Sequence, residues 1–484
     1  MSTSSGSKAL KSGIWYTIAN FVTSGIGFLT MPIFTRLMSK GDIGSYSNFT
    51  SWLSILRCVI TLNLAPSIAL AKFDYGERLD DYIASILVLG SLSTAAIYLV
   101  AVLFEPFLLS VLGFDQLQFH VVFCFCLTAP ALEAMQTRGR MEYRYKLTVS
   151  LSLISVLVGT GISLICVLTS EDKLVMRILG QYLPMIALNL GLYVYSMKRA
   201  RTVSTAYWRY ALRISLPLIV HVLSGYLLSF SDRIMINNMC GSESTAYYSV
   251  AYSCSMVVSV LWTSFNQAWA PWSYEQMNKG DIDRLKKASR PYLLCFAGIV
   301  LCFFLAGPEI LMLMGGRAYM PALPVIPPVM TGIVFQFVNT LYINIETYSK
   351  KQKYIAFGTT VAATVNIALN YLLIPVYGYV AAAYTTLFGY MVLFLIHYLL
   401  VRRLGKDSWC DNRFSFLLLG AFLVVMFLMF PLYENTALRY GLIAVIGCLG
   451  IGFAIVFRND LIEIVRNHST AKLKAHVKTL TRRK

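Results

Sequence analysis

The sequence predicts an all-α, polytopic membrane protein, and three observations carry that prediction. Fourteen apolar runs of roughly twenty residues fill the chain, and a run of that length crosses a bilayer as a helix. The chain is 57% hydrophobic and only 13% charged, about half the charged fraction of a soluble domain. Its basic residues fall almost entirely in alternate gaps between the runs. Backbone amides and carbonyls find no water in lipid, so a spanning segment satisfies them internally as a helix.

The runs lie at 13–35, 43–71, 83–104, 118–137, 147–169, 175–197 and 213–238, then at 245–270, 291–314, 321–344, 354–376, 378–401, 414–433 and 437–457. The first follows a short polar segment with Lys8 and Lys11. It is too long for a signal-peptide core and lacks a small-residue cleavage site, so it reads as a span. The second is long and carries Arg57 near its middle, about 20 Å of helix from either end. The tenth opens on Pro321, Pro324, Pro327 and Pro328, which a helix tolerates in its first turn and which kink it further in. Beyond the last run, 458–484 is a basic tail. As a helix it would place Leu461, Ile462, Ile464, Val465, Leu473 and Val477 along a membrane surface; as a solvated segment it would be drawn to anionic lipid.

With the N-terminus in the cytoplasm, 33 of the 41 Lys and Arg residues fall in cytoplasmic segments. Six lie outside: Arg36, Lys40, Lys173, Arg177, Arg317 and Arg439. Only Arg57 and Arg233 sit within spans. One missed span would scramble this pattern, so the excess of inside charge supports both the count and the orientation, with both termini cytoplasmic. The same rule accounts for the net charge of +18. No basic soluble domain exists to hold nucleic acid, and none is expected as a partner; the lipid bilayer is.

Ten cysteines are present, most inside apolar runs, where cysteine behaves as a small hydrophobe. Cys124 and Cys126 form a C-x-C with no second pair at zinc spacing, so no metal and no cofactor is expected. Enzyme chemistry finds no support. There is no P-loop, no G-x-S-x-G and no H-E-x-x-H, and the outside loops are too short to form a catalytic domain.

The chain carries a faint internal repeat. Lys11-Ser12-Gly13-Ile14 opens the first span as Arg213-Ile214-Ser215-Leu216 opens the seventh. The same offset of 202 brings Tyr46-Ser47 onto Tyr248-Ser249, and Glu142…Lys146 resembles Glu346…Lys350 at an offset of 204. Both halves start on the cytoplasmic side, so the repeat is parallel. The expected organisation is a six-helix bundle over 1–197, a second over 198–405 in pseudo-twofold relation to it, two further helices over 406–457, and the basic tail over 458–484. Transporters built from repeats place the substrate path between the halves.

Ionisable residues within spans are costly and often mark a pathway. Arg57 is either a cavity cation placed for an anionic substrate or a structural arginine paired with a carboxylate. Asp232 and Arg233 are adjacent, and neighbouring helix positions do not face each other, so each needs another partner. They read as a gate, an ion-coupling site or a structural clamp. His221 lies deeper in the same span and could carry a coupling proton, or be a hydrogen-bonded core histidine. Glu133, Glu309 and Glu346 lie near span ends, where water can reach them. Among the in-span amides, Asn20, Asn48, Asn266 and Gln267 could line a sugar-binding cavity; Asn63, Gln336, Asn339, Asn366 and Asn370 are of the same kind. Interhelical hydrogen bonding would use the same residue types.

Three blocks of residues resemble the Wzx-type polysaccharide flippases of the multidrug/oligosaccharidyl-lipid/polysaccharide exporter superfamily. The middle one runs through Ser231-Asp232-Arg233-Ile234-Met235-Ile236, Gly241, Tyr247-Tyr248-Ser249-Val250-Ala251-Tyr252 and Asn266-Gln267-Ala268-Trp269-Ala270-Pro271-Trp272. The later one is Glu346-Thr347-Tyr348…Lys351 with Asn366-Ile367-Ala368-Leu369-Asn370-Tyr371-Leu372-Leu373-Ile374-Pro375…Gly378. The opening one is Thr35-Arg36-Leu37-Met38-Ser39…Gly44. The resemblance implies two six-helix bundles in a V with two further helices. It implies transfer of an undecaprenyl-pyrophosphate-linked oligosaccharide, or a similar polyprenyl carrier, across a bacterial cytoplasmic membrane. It also implies coupling to H+ or Na+ by antiport, and service to a pathway that includes a polysaccharide polymerase and a chain-length regulator. The product would be an O antigen, capsule or other exopolysaccharide. The competing reading is a multidrug exporter of the same superfamily, which would favour acidic cavity residues for cationic drugs. A membrane-embedded polymerase or glycosyltransferase would need a substantial catalytic loop, and the gaps offer none.

The orientation predicts that a thiol at Cys410, in the gap 402–413, reacts with a membrane-impermeant reagent from the cytoplasmic side. Reaction only from the outside would overturn it.

Overall fold

The computed structural model describes residues 3–456. The basic tail over 458–484 lies outside the described residues, as does the side chain of Asn20. The chain opens with α1 (Thr3–Leu37), α2 (Lys40–Ile60), α3 (Ile68–Tyr75), α4 (Leu79–Leu103) and the short α5 (Glu105–Leu112). Then come α6 (Gln116–Met141), α7 (Tyr145–Thr169) and α8 (Lys173–Arg199). A second series follows: α9 (Thr205–Cys240), α10 (Ser242–Cys254), α11 (Met256–Lys279), α12 (Ile282–Leu305) and the short α13 (Gly307–Gly315). It continues with α14 (Ile326–Tyr348), α15 (Gln352–Tyr377) and α16 (Tyr379–Arg403), and α17 (Asn412–Glu434) and α18 (Thr436–Val456) close the described chain.

Among the described residues there is no strand, and all fourteen apolar runs fall on helix. Among the described residues ten helices are long and apolar enough to cross a membrane, and Phe21–Leu37 and Thr436–Gly450 are shorter apolar helices. The two expected spans outside these groups are the polar α2 and the broken pair α10–α11. The order of elements repeats. In each series a long helix is followed by a helix that breaks, a long helix, a short one with proline in its first turn (Pro106, Pro308), and three long helices. The repeat is therefore clearer in element lengths than in residue identities.

Three expected spans are not continuous helices. The run 43–71 stops at Ile60 and is interrupted at Leu62 and Asn63, which hold φ values of 57° and 41°. A 3-10 turn over Ala65–Ser67, opened by Pro66, leads into α3. The run 245–270 breaks between Cys254 and Met256, and 291–314 breaks at Ala306 before Pro308. The proline-rich start of 321–344 is a 3-10 helix over Arg317–Val325, because its ring-locked backbone cannot donate helical hydrogen bonds.

The chain divides into two compact units, one of Ser7–Ser249 with Asn370–Tyr379, the other of Val250–Leu369 with the chain from Val380. This differs from the expected division near residue 197, because α9 packs along α2 and α4. The connection ahead of α9 is pinned to α4: Asp81 Oδ1 accepts from the backbone N–H of Arg201 at 2.7 Å, and Ser85 Oγ from that of Ser204 at 3.0 Å. Trp208 Nε1 donates to the Ser85 carbonyl at 2.8 Å. Tyr75, Tyr82, Tyr207 and Tyr210 then pack edge to face around the start of α9. Elsewhere in this unit Arg177 lies between the rings of Phe34 (4.1 Å) and Tyr46 (3.7 Å), a cation–π contact that ties α8 to α1 and α2.

In the second unit, α14 is buried along most of its length. Phe296 stacks on Phe337 at 3.8 Å and Trp269 on Tyr292 at 4.2 Å. The two helices expected as an appendage over 406–457 belong to this unit. α17 packs on α14, and α18 packs on α12, where Arg439 donates to Glu309 through both terminal nitrogens, at 2.6 and 2.8 Å. Asp411 caps α17 by accepting from the Phe414 N–H, and it also accepts from Arg290 Nε at 2.5 Å. Burial alone would raise the Asp411 carboxyl. The Arg290 bond, the Phe414 N–H and the charge of Lys286 outweigh burial and hold it below the usual carboxylate range. Cys410 beside it is buried, so the exposed Lys287, replaced by cysteine, is the better position for the labelling test of orientation.

Gly44 marks the closest helix approach in the first unit. A Cβ there would fall 1.7 Å from the Ser242 carbonyl oxygen, whereas at Gly41 the nearest atom would be 3.6 Å away. Gly44→Ala is expected to destabilise the fold by about 1–3 kcal/mol, read as a lower melting temperature in detergent, with Gly41→Ala near neutral. Equal melting of the two variants would contradict the close approach. A carboxyl whose folded pKa is depressed stabilises the fold above its unfolded value of about 4. That contribution is lost as pH falls through the lower folded value. Wild-type melting should therefore drop more steeply on acidification than that of Asp411→Asn; parallel curves would remove the Arg290–Asp411 clamp from the account.

Candidate functional site

The break after α2 builds a polar cavity. Arg57 lies in the last turn of α2 rather than mid-helix, which corrects the depth expected from an unbroken run. The Arg57 carbonyl accepts from the backbone N–H of Thr61 at 3.0 Å and from its hydroxyl at 2.8 Å, so the helix end closes on itself. Leu62 and Asn63 then turn the chain in a left-handed conformation that costs about 1 kcal/mol or more for a residue with a Cβ. Such strain persists where surrounding packing fixes it, and it is frequent at ligand sites.

The cavity holds about 450 Å³. It is lined by the end of α2, the Thr61–Pro66 connection, α3, α6 and Tyr226 of α9, all within the first unit. Arg57 Nη1 stands 3.4 Å from Glu133 Oε1, and the two side chains are 34% and 29% exposed. That separation is longer than a charge-assisted hydrogen bond, so both groups keep capacity for a ligand or water. Tyr226 belongs to the electrostatic surroundings of Arg57 as well. Arg140 is exposed at the other end of the lining, and its Nη2 donates to Thr137 at 2.9 Å. Gln136 donates to Ser152 at 3.1 Å, and the buried Asn63 Nδ2 has no partner. Two guanidinium groups against one carboxylate give the lining a formal charge of +1.

The other expected site residues are placed elsewhere. Asn48 is fully buried and donates to the Leu112 carbonyl at 2.8 Å, tying α2 to the end of α5. Asn266 accepts from Asn344 at 3.0 Å in the second unit, and Gln267 is exposed there. Asp232 is buried and accepts from the Tyr248 hydroxyl. Contrary to the expectation from helix geometry, Arg233 Nη1 does reach Asp232 Oδ1, but at 3.5 Å; its shorter bond, 2.8 Å, is to the Ser229 carbonyl. His221 carries a buried Nδ1 with no hydrogen-bond partner. Glu346, expected within reach of water, is fully buried against His397.

Of the expected substrate and coupling residues whose side chains are described, then, only Arg57 lines this cavity. Gln136, Thr137, Arg140 and Tyr226 were missed. Arg140 looks like an ordinary loop cation, and only the return of α6 beside α2 brings it to Arg57. The signal that could have found the cavity is Asn63-Leu64-Ala65-Pro66, an amide and a proline that interrupt an apolar run.

A unit of apolar helices around a charged, partly solvated cavity defines a polytopic membrane transporter. The polysaccharide biosynthesis protein model matches residues 9–277, and the MatE model matches 217–372. The chain belongs to the polysaccharide biosynthesis protein family, within the multidrug/oligosaccharidyl-lipid/polysaccharide exporter superfamily of transporters. It is 21% identical to an uncharacterized membrane protein of Methanocaldococcus jannaschii, over 94% of this chain and 96% of that one. It is 22% identical to the "probable low-salt glycan biosynthesis flippase Agl15" of Haloferax volcanii, over 80% and 82%. Its fold is similar to that of the lipid II flippase MurJ in an inward closed conformation, with a TM-score of 0.71 and 14% identity, over 93% of this chain and all of that one.

Proposed function

We propose that the protein moves a polyprenyl-pyrophosphate-linked oligosaccharide across the cytoplasmic membrane, with both of its own termini in the cytoplasm. The observation that carries the reading is the cavity charge. A pyrophosphate is anionic and cannot cross hydrocarbon uncompensated. Arg57 and Arg140 supply planar donor forks that match phosphate oxygens, while Thr61, Asn63, Gln136 and Thr137 supply the donors and acceptors a sugar or phosphate ester requires. Glu133 neutralises Arg57 when the cavity is empty and yields it when a stronger anion enters. The polyprenyl chain stays in the bilayer, so the cavity need hold only the polar head.

Carbohydrate polymer synthesis then supplies the context, with a polymerase and a chain-length regulator acting after transfer. An ion gradient of H+ or Na+ drives the cycle by antiport. The relationship to a protein named as a glycan biosynthesis flippase supports the substrate class. The match of the MatE model over 217–372 favours a second reading, a multidrug exporter. A lining of net positive charge suits a cationic drug poorly.

Arg57→Ala should abolish surface polysaccharide while the protein remains in the membrane. In purified protein it should weaken binding of a short-chain polyprenyl pyrophosphate by roughly tenfold to a hundredfold, the loss of one charge-assisted contact worth about 1.5–3 kcal/mol. Glu133→Gln should tighten the same binding. Normal polymer from Arg57→Ala, or tighter binding of a lipophilic cation than of the pyrophosphate, would reject the proposal.

A further inference from the structure

In the second unit, α14 and α16 bury a carboxylate against an imidazole. Glu346 Oε2 lies 2.8 Å from His397 Nδ1, and both side chains are 0% exposed. Each partner has one atom left over: Glu346 Oε1 and His397 Nε2 are buried without a hydrogen-bond partner. Nε2 faces Gly358 of α15, where a Cβ would lie 2.8 Å away. Glycine at that position leaves room for the ring nitrogen.

The other titratable groups on the surrounding elements are engaged elsewhere. Tyr342 donates to Asn412, Tyr274 donates to Asn344, and Lys406 donates to Ser349. Asp411 is held by Arg290, and Tyr398 packs on Phe394 and Phe416. Cys410 is buried beside Asp411; Lys350, Lys351, Lys353 and Tyr354 lie at the α14–α15 turn, and Arg402 and Arg403 at the end of α16.

We propose that the Glu346–His397 pair is a proton-binding site. With Nδ1–H donating to Oε2, the pair carries one negative charge in an apolar interior, a costly state. One proton adds to the Nε2 lone pair. No bond breaks, and the product is an imidazolium–carboxylate pair of zero net charge. Loss of that proton restores the anion. A pair that served only to join helices could be replaced by two apolar side chains without loss of stability, and ionisable groups at membrane depth usually mark ion or proton pathways. A sodium ion would need several oxygens, and the pair leaves only one open. The inference names the coupling ion of the proposed transport cycle and rests on that reading for its use, though not for its test.

The test is infrared difference spectroscopy of full-length, histidine-labelled protein in phosphatidylethanolamine–phosphatidylglycerol liposomes, between about pH 5 and pH 8, where imidazole titrates. No lipid-linked glycan is present, so a failed transport assay leaves this result intact. One imidazole protonation signal should vanish in His397→Gln. In Glu346→Gln it should move along the pH axis, because the carboxylate hydrogen-bonded to Nδ1 is gone. Gly358→Ala, which keeps both groups and crowds Nε2, should move it as well and guards against a pair variant that fails to fold. Identical wild-type and His397→Gln spectra, a His397 signal indifferent to Gly358→Ala, or its displacement by sodium at fixed pH would overturn the proposal.

Discussion

An arginine inside a bundle of apolar helices is tolerable only with a counter-charge and access to water, and the Arg57–Glu133 contact meets both conditions. At 3.4 Å with both side chains about one-third exposed, the two groups compensate each other without being consumed. A tighter pair would be a structural clamp, as Arg439 and Glu309 are with their two bonds at 2.6 and 2.8 Å. A lone buried arginine would be prohibitively costly. The intermediate geometry leaves a cavity that is charged, open and able to exchange a carboxylate for another anion. The transport reading depends on that balance.

The backbone makes the balance possible. If α2 ran on beyond Thr61, Arg57 would be carried along a continuous helix with the following turn packed beside it. Instead the chain turns through Leu62 and Asn63 and restarts at Pro66, opening space beside the guanidinium. α6 then returns Glu133, Gln136, Thr137 and Arg140 at helical spacing along one wall. Tyr226 is held opposite because α9 packs along α2, and Gly44, by lacking a side chain, lets the Ser242 carbonyl at the start of α10 come in against α2.

Much of the fold was legible in the sequence because lipid imposes a simple code. Apolar runs of spanning length and alternating cationic gaps mark the helices, and all fourteen runs fall on helix. The repeat was faint in residues because membrane helices tolerate apolar exchange, yet the short helices opened by Pro106 and Pro308 make it plain in the structure. What the sequence concealed were events inside runs, above all the break at Leu62–Asn63, because hydropathy does not register a local change of backbone conformation. The site was legible only at Arg57. Arg140 obeyed the rule for cytoplasmic cations and so looked ordinary, and Asn48 looked like a sugar ligand although it serves the end of α5. Glu346 looked solvated from its place near a span end. Its burial depends on α16, far along the chain, which places His397 against it.

The central claim is that an anionic head group replaces Glu133 at Arg57. The most direct measurement is a structure of the protein with a short-chain polyprenyl pyrophosphate bound. The account predicts phosphate oxygens within hydrogen-bond reach of Arg57, with Arg140 engaged and the Glu133 carboxylate displaced from the guanidinium. A pyrophosphate bound away from this cavity, with the Arg57–Glu133 contact intact, would contradict it.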